Sequence, residues 1–152
     1  MKKYELLLDD TTEMFGVTLY RIRYIRDFAY IKSGALGGYI EKEDNLSHNG
    51  DARVLDNAWV YGNVWVFGDA RVSDNTWVFG DARVYGNALV SGDALVFGNA
   101  RVYGDARVYG NAMVFGDARV YDNARVSGNA WVYGNAMVFG DARVYGDEST
   151  IL

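Results

Sequence analysis

Apolar residues recur with a period of six along most of the chain. A valine stands at every sixth position from Val54 to Val144, and an alanine stands two residues before nearly every one. Residues two apart in an extended chain point to the same side, so each Ala-x-Val triplet predicts a short strand with both small side chains turned inward. The Gly-Asn or Gly-Asp pair that usually follows tolerates positive φ, which predicts a corner.

The repeating hexad, [DN]-A-x-V-[YFS]-G, occupies residues 51–146. It resembles the hexapeptide-repeat superfamily, whose fold is the left-handed parallel β-helix. The resemblance implies an all-β chain in which three hexads make one coil of a triangular prism, with stacked valines and alanines inside. With strands about 4.8 Å apart, a little over five coils would make a prism roughly 25 Å tall.

The segment just before the regular repeats also has a resemblance. The stretch ALGGYIEKEDNLSH, which ends at His48, is similar to segments that precede hexapeptide arrays in bacterial and phage proteins described as transferases or polymer-forming proteins. We expect residues 35–152 to form the solenoid. Ile40 and Leu46 are predicted to lie in its first coil, followed by a two-residue insertion at 47–50.

Residues 1–34 are predicted to form a β cap over the N-terminal end of the solenoid, because an open end exposes apolar core. Two segments, YELLL at 4–8 and VTLYRIRYI at 17–25, predict strands. The polar DDTTEMFG between them predicts a hairpin loop.

Charged residues near both ends suggest further roles. Arg21, Arg23 and Arg26 alternate with apolar residues, and a second interpretation of this segment is an anion or partner site. At the other end, Asp147 and Glu148 are expected to discourage edge pairing between molecules, because charge on an edge strand opposes it.

If three hexads make a coil, residues 18 apart stack, and each outer face is predicted separately. The aromatic face carries only apolar or aromatic side chains, in two columns: Trp59, Trp77, Leu95, Met113, Trp131 and Tyr61, Phe79, Phe97, Phe115, Tyr133. The arginine–serine face carries Arg53, Arg71, Leu89, Arg107, Arg125, Arg143 and Leu55, Ser73, Ser91, Tyr109, Ser127, Tyr145. The arginine–tyrosine face carries Trp65, Arg83, Arg101, Arg119, Met137 and Phe67, Tyr85, Tyr103, Tyr121, Phe139.

The aromatic face is larger than the apolar patch that a soluble monomer usually leaves in water. It is therefore predicted to be the interface of a homo-oligomer, either a dimer or a trimer. A second interpretation is that the rings only stack to join neighbouring strands.

The arginine–tyrosine face offers candidate contacts for an anion or an acidic protein. These candidates are Arg83, Arg101, Arg119, Tyr85, Tyr103 and Tyr121. The alternative is structural, because an arginine stacked on a tyrosine ring is stabilising even in solvent.

Charge and composition exclude several classes of function. The net charge is −5, with 20 acids against 15 bases, which argues against nucleic-acid binding because that normally needs a basic face. The chain has no cysteine, so disulfides are absent. No apolar run is long enough for a signal peptide or a membrane span, so we expect a cytoplasmic protein without a membrane partner.

Candidate catalytic chemistry is sparse. The resemblance implies a histidine general base in acyltransferases and three zinc-binding histidines in carbonic anhydrases, and the chain has only His48. Its position at the junction of cap and repeats, with no loop interrupting Val54–Val144, argues against a catalytic site. We also expect no cofactor and no metal, because the alternation of Asp with Asn at the corners lowers the charge that calcium requires.

These patterns favour a non-catalytic oligomeric scaffold or protein-binding module. One alternative is a hexapeptide-repeat transferase of the acyl or nucleotidyl type, acting on a small or sugar-linked substrate with His48 as the only imidazole base. Another is a phage-encoded protein that engages a host protein.

Overall fold

A computed structural model describes residues 2–146 and 149–150. Asp147 and Glu148, which are expected to discourage edge pairing, lie outside the described residues. The chain begins with the antiparallel strands β1 (Tyr4–Met14) and β2 (Val17–Tyr24), and β3 (Leu36–Ile40) pairs antiparallel with β2. A short 3₁₀ helix, Glu43–Asn45, follows.

The prediction of a hairpin loop at 9–16 is wrong. Strand β1 continues through the polar stretch, and the turn consists only of Phe15 and Gly16, at φ of 50° and 80°. Two successive positive φ values are typical of the two-residue turn whose twist matches a hairpin. A register shift between Leu6 and Thr11 accommodates the additional residues of β1 within the strand.

Two-residue strands then recur every six residues, one at each valine of the series. They are β4 (Arg53–Val54), β5 (Trp59–Val60), β6 (Trp65–Val66), β7 (Arg71–Val72), β8 (Trp77–Val78), β9 (Arg83–Val84), β10 (Leu89–Val90), β11 (Leu95–Val96), β12 (Arg101–Val102), β13 (Arg107–Val108), β14 (Met113–Val114), β15 (Arg119–Val120), β16 (Arg125–Val126), β17 (Trp131–Val132), β18 (Met137–Val138) and β19 (Arg143–Val144). Strand β20 (Ser149–Thr150) follows them.

The strands form three parallel sheets that are the walls of a β-solenoid with about six turns. Each solenoid strand pairs with the one three further along the chain, so that Trp59 lies beside Trp77 and Arg101 beside Arg119. The predicted stacking of residues 18 apart is confirmed. The all-β architecture agrees with the predicted left-handed β-helix and N-terminal hairpin.

The cap is continuous with one wall of the solenoid. Its sheet has the order β1-β2-β3-β5-β8-β11-β14-β17-β20, which includes the aromatic face. Ile40 pairs with Val60, and Leu46 forms a bridge to Val66. Both separations are 18 plus two residues, which confirms the predicted first coil and its insertion.

Alanine and valine fill the interior. Every valine of the series from Val54 to Val132 is fully buried. Each contributes roughly 1.5–3 kcal/mol on burial, so the stacked valines supply much of the stabilisation. Thr76 replaces one alanine, and its buried hydroxyl donates to the carbonyl of Ser73 at 3.0 Å.

The corners confirm the predicted positive φ. Gly80 has φ of 74°, and a Cβ there would lie 3.0 Å from the amide nitrogen of Gly98 in the next coil. Asp56, Asp74 and Asp122 occupy the same corner position with positive φ. Their carboxylates accept amide hydrogens from the next coil, for example that of Gly92 by Asp74 at 2.8 Å, which offsets the conformational strain. In the described part of the chain no helix is long and apolar enough to cross a membrane.

Candidate functional site

The second column of the aromatic face forms a continuous ladder of stacked rings. Successive ring centroids are 5.2, 4.9, 4.8 and 5.2 Å apart, and neighbouring rings are within 6° of parallel. The members are Tyr61, Phe79, Phe97, Phe115 and Tyr133. In the first column, Trp59 stacks on Trp77 at 5.0 Å. Trp131 is 44 % exposed and meets Phe115 edge to face at 6.3 Å.

The arginine–tyrosine face has a second ladder with almost the same geometry. Its ring centroids are 4.7, 4.9, 5.0 and 5.6 Å apart. Its members are Phe67, Tyr85, Tyr103, Tyr121 and Phe139. The sequence interpretation that rings join neighbouring strands therefore describes both faces.

The two ladders have opposite polarity. On the aromatic face the three central rings are phenylalanines and the two terminal rings are tyrosines, whereas the arginine–tyrosine ladder has the reverse order. Partial burial raises the pKa of the hydroxyls of Tyr61 and Tyr103. Since ring spacing is similar in both ladders, stacking does not explain why hydroxyl groups are absent from the middle of one face and present in the middle of the other.

The arginines of the arginine–tyrosine face lie in register, and none of them has an acidic partner among the described residues. Arg101 lies between Arg83 and Arg119 in adjacent strands. Within the described residues, all ion pairs closer than 4.0 Å involve the cap and the first coil.

The corner acids bind neighbouring amides instead of arginines. Asn63 donates its side-chain N–H to Asp81 at 3.0 Å, and Asn99 donates to Asp117 at 3.0 Å. In these pairs, the amide opposite the carboxylate removes the repulsion that two carboxylates in adjacent coils would have. Among the described residues no group of three or more potential metal ligands is found.

His48 is held on both nitrogens. The backbone N–H of Lys3 donates to Nδ1 at 3.0 Å, and Nε2 lies 2.8 Å from Glu43 Oε1. Because Nδ1 accepts, the ring proton is on Nε2 and is donated to Glu43, which lowers the pKa of that carboxyl. The ring also stacks on Tyr4 at 4.1 Å. No lone pair remains free for a general base, although a cleft of about 540 Å³ lies beside the ring.

Each arginine of the cap makes a polar contact with its own chain, although the Nε of Arg26 is buried without a partner among the described residues. Arg21 donates to the carbonyl of Gly37 at 2.9 Å, Arg23 pairs with Glu5 at 3.0 Å, and Arg26 donates to the carbonyl of His48 at 3.0 Å. The contacts of Arg21 and Arg26 join the hairpin to the first coil, whereas the Arg23–Glu5 pair lies within the hairpin. They do not leave the open cluster of cations that an anion site needs.

The polar residues that close the N-terminal end were missed in the sequence analysis. The Tyr24 hydroxyl donates to the carbonyl of Val54 at 2.7 Å and accepts its N–H at 3.0 Å. The buried Lys3 ammonium donates to the carbonyls of Gly50 and Ala52. Burial, reinforced by the positive charge of nearby Arg26, lowers the pKa of Lys3 to about 8. In the sequence, the only sign of these contacts is that Lys3 and Tyr24 lie outside the period-six pattern.

The solenoid repeats match a described repeat family. The family described as YdcK beta solenoid repeat matches residues 82–97, 106–120, 118–134 and 130–146. Together these matches cover less than half of the chain, and all lie where regular coils stack. They show a β-solenoid repeat in this region. No curated protein matches the chain at a significant level.

Proposed function

We propose that this chain is a non-catalytic β-solenoid scaffold that associates with a second copy of itself through the aromatic face. The observation that carries the proposal is the opposite polarity of the two ring ladders. A tyrosine hydroxyl needs water or a hydrogen-bonding partner. Phenylalanines at the centre of the aromatic face are suited to a surface from which water is excluded.

The anatomy of the face supports the same proposal. An interface between subunits has an apolar core and a polar rim. The core here would be centred on the coil of Leu95 and Phe97, and the rim would include the hydroxyls of Tyr61 and Tyr133. None of the ten side chains in the two columns is charged.

The available area sets the expected strength. Most of the ten side chains are partly buried within the solenoid. Together they therefore expose on the order of 500 Å² of accessible surface per copy. Two copies would bury about 1,000 Å², which is the lower limit for a specific interface. We therefore expect a reversible dimer whose population depends on protein concentration.

Self-association is tested by light scattering coupled to size exclusion over a series of concentrations. The Trp77→Lys, Phe97→Ser double variant is expected to stay at the monomer mass where the parent chain forms dimers. The matched control is Arg83→Lys with Tyr103→Ser, at the equivalent positions of the arginine–tyrosine face. The control loses a ring from its ladder in the same way but should keep the parent's mass.

Two results would contradict the proposal. One is a parent chain that remains a monomer at every concentration. The other is a double variant that dimerises as well as its control. Circular dichroism of both variants shows whether the solenoid is intact, so that loss of association is separated from loss of fold.

A further inference from the structure

Charged side chains of the cap border the N-terminal end of the aromatic face. Tyr39 pairs with Trp59 and continues its column into the cap. The Arg21 guanidinium lies over the Tyr39 ring at 4.4 Å and donates to its hydroxyl at 2.9 Å. The Nε of Arg21 is also 3.3 Å from a carboxylate oxygen of Asp10. A layer of charged side chains therefore covers the sheet where the aromatic columns end.

The opposite end of the aromatic face carries an exposed tryptophan. Trp131 is the most exposed of the ten side chains, at 44 %. The strand beyond it in this sheet, β20, contributes Ser149 and Thr150, which pair with Trp131 and Val132. An ion-paired layer thus borders the apolar strip at the N-terminal end, whereas an exposed tryptophan lies in the C-terminal coil of the strip.

This difference makes the parallel and antiparallel arrangements of two face-to-face copies unequal. Sheets that pack on each other are about 10 Å apart. If the solenoid axes were parallel, the two Arg21–Tyr39 layers would lie against each other, and both ion-paired guanidinium groups would have to fit between the sheets. If the axes were antiparallel, each layer would lie beyond the last aromatic ring of the other copy.

Resting on the proposed self-association, we infer that the two copies pack antiparallel, with a two-fold axis across the coil of Leu95 and Phe97. In such a pair, residue i contacts residue j and residue j contacts residue i. Phe97 meets its own counterpart near the axis, and Trp59 faces Trp131 of the second copy. Tyrosines then lie at both rims and phenylalanines at the centre of both copies.

The corner residues beside the face give a secondary signature. The antiparallel arrangement brings Asp81 level with Asp117 of the second copy. Both carboxylates already accept a hydrogen bond from an asparagine of their own chain, and charges at a rim contribute little to affinity. Since salt screens such repulsion, association is expected to strengthen when salt is added.

Single cysteines measure the orientation directly, because the chain contains no cysteine of its own. Asn99→Cys places a thiol on the central coil, beside the axis. Asn63→Cys is the matched control, since Asn63 occupies the same corner column and makes the same bond to an aspartate. A bismaleimide with a span of about 10 Å matches the distance between packed sheets.

The antiparallel dimer predicts that Asn99→Cys becomes a covalent dimer on a denaturing gel. Asn63→Cys should remain monomeric, because its counterpart is about 20 Å away along the axis. A mixture of Asn63→Cys with Asn135→Cys should cross-link across the two ends.

Other outcomes would contradict either the orientation, the choice of surface or the self-association, and the experiment distinguishes these three. If the chain dimerises by light scattering but cross-links only in a mixture of Asn99→Cys with Asp93→Cys, the axes are parallel and the orientation is wrong. If the cysteine variants have the mass of the parent dimer yet none of these combinations cross-links, another surface forms the interface. If the parent chain is a monomer, the proposed self-association itself has failed.

Discussion

The cap and the repeats provide hydrogen-bond partners for backbone N–H and C=O groups in different ways. In the repeats, one arrangement recurs in each coil, as when Arg83 N–H donates to the carbonyl of Ala100 at 3.0 Å and Arg101 N–H donates to that of Ala118 at 3.0 Å. In the cap, Lys3 and Tyr24 make contacts that occur only once. Repeated contacts demand constant spacing between coils, whereas single contacts depend on the identity of one side chain.

The largest expected effect comes from disturbing the spacing of the repeats. In Gly98→Ala, the new Cβ would lie 2.9 Å from the amide nitrogen of Gly116, in a backbone with φ of 67°. We expect a loss of about 3 kcal/mol in the free energy of unfolding, from strain and displacement of the adjacent coil. Chemical denaturation measures it.

A glycine with the same backbone conformation is the control for this substitution. Gly140 has φ of 62°, but a Cβ there meets nothing within 4 Å among the described residues. Gly140→Ala should cost only the conformational strain, roughly 1 kcal/mol. Equal losses at the two glycines would show that coil spacing does not limit this corner.

A single contact of the cap gives the next largest effect. Tyr24→Phe removes the hydroxyl and leaves the N–H and carbonyl of Val54 buried without that partner. The expected loss is about 1–3 kcal/mol. Tyr20→Phe in the same strand, where no hydroxyl bond is described, should be nearly neutral in the same denaturation experiment.

The cap also introduces a dependence on pH. The folded Lys3 has a pKa of about 8, below the ordinary value of 10.5. Between these values the unfolded chain holds more protons, so stability should rise with pH, by roughly 3 kcal/mol at most. Urea titrations from pH 7 to 10 measure the rise, which Lys3→Met should abolish.

The rise of stability with pH should turn into a fall at higher pH. Burial raises the pKa of the hydroxyls of Tyr4 and Tyr24. Above about pH 10, these tyrosines ionise in the unfolded chain while they stay protonated in the folded one, so stability should fall. A maximum well below pH 8 would contradict this assignment of the cap residues.

The smallest effect is expected at a corner of the repeats. Asn99→Asp replaces the amide donor to Asp117 and places a third carboxylate in register between Asp81 and Asp117. At an exposed site this repulsion is worth about 0.5–1 kcal/mol. The loss should shrink in high salt or at acidic pH, when melting curves of the variant and the parent are compared.

The repeats could be predicted well because each contact there leaves a periodic trace in the sequence. The valine series marks the strands, and the spacing of 18 correctly places Trp59 beside Trp77. Even the two-residue insertion after Leu46 is visible as a break in the period. The composition of the three faces follows from the same count.

The cap could not be predicted to the same extent. Lys3 and Ala52 are 49 residues apart, and Tyr24 and Val54 are 30 apart, so neither contact has a local or periodic signature. The polar residues at 9–16 suggested a loop, although pairing with β2 keeps most of them in a strand. His48 was identified as the only possible base, but the amide of Lys3 that occupies its Nδ1 comes from the distant N-terminus.

Because residues 18 apart stack, the position of a residue within an 18-residue frame decides which face of the solenoid carries its side chain. Inserting or deleting 18 residues within the repeats would change the length by one coil, about 4.8 Å, and leave every later side chain on its original face. A change of six residues would preserve each strand and corner but move all later residues to the next face. The aromatic columns would then be cut in two, so the surface chemistry depends on keeping this frame in multiples of three hexads.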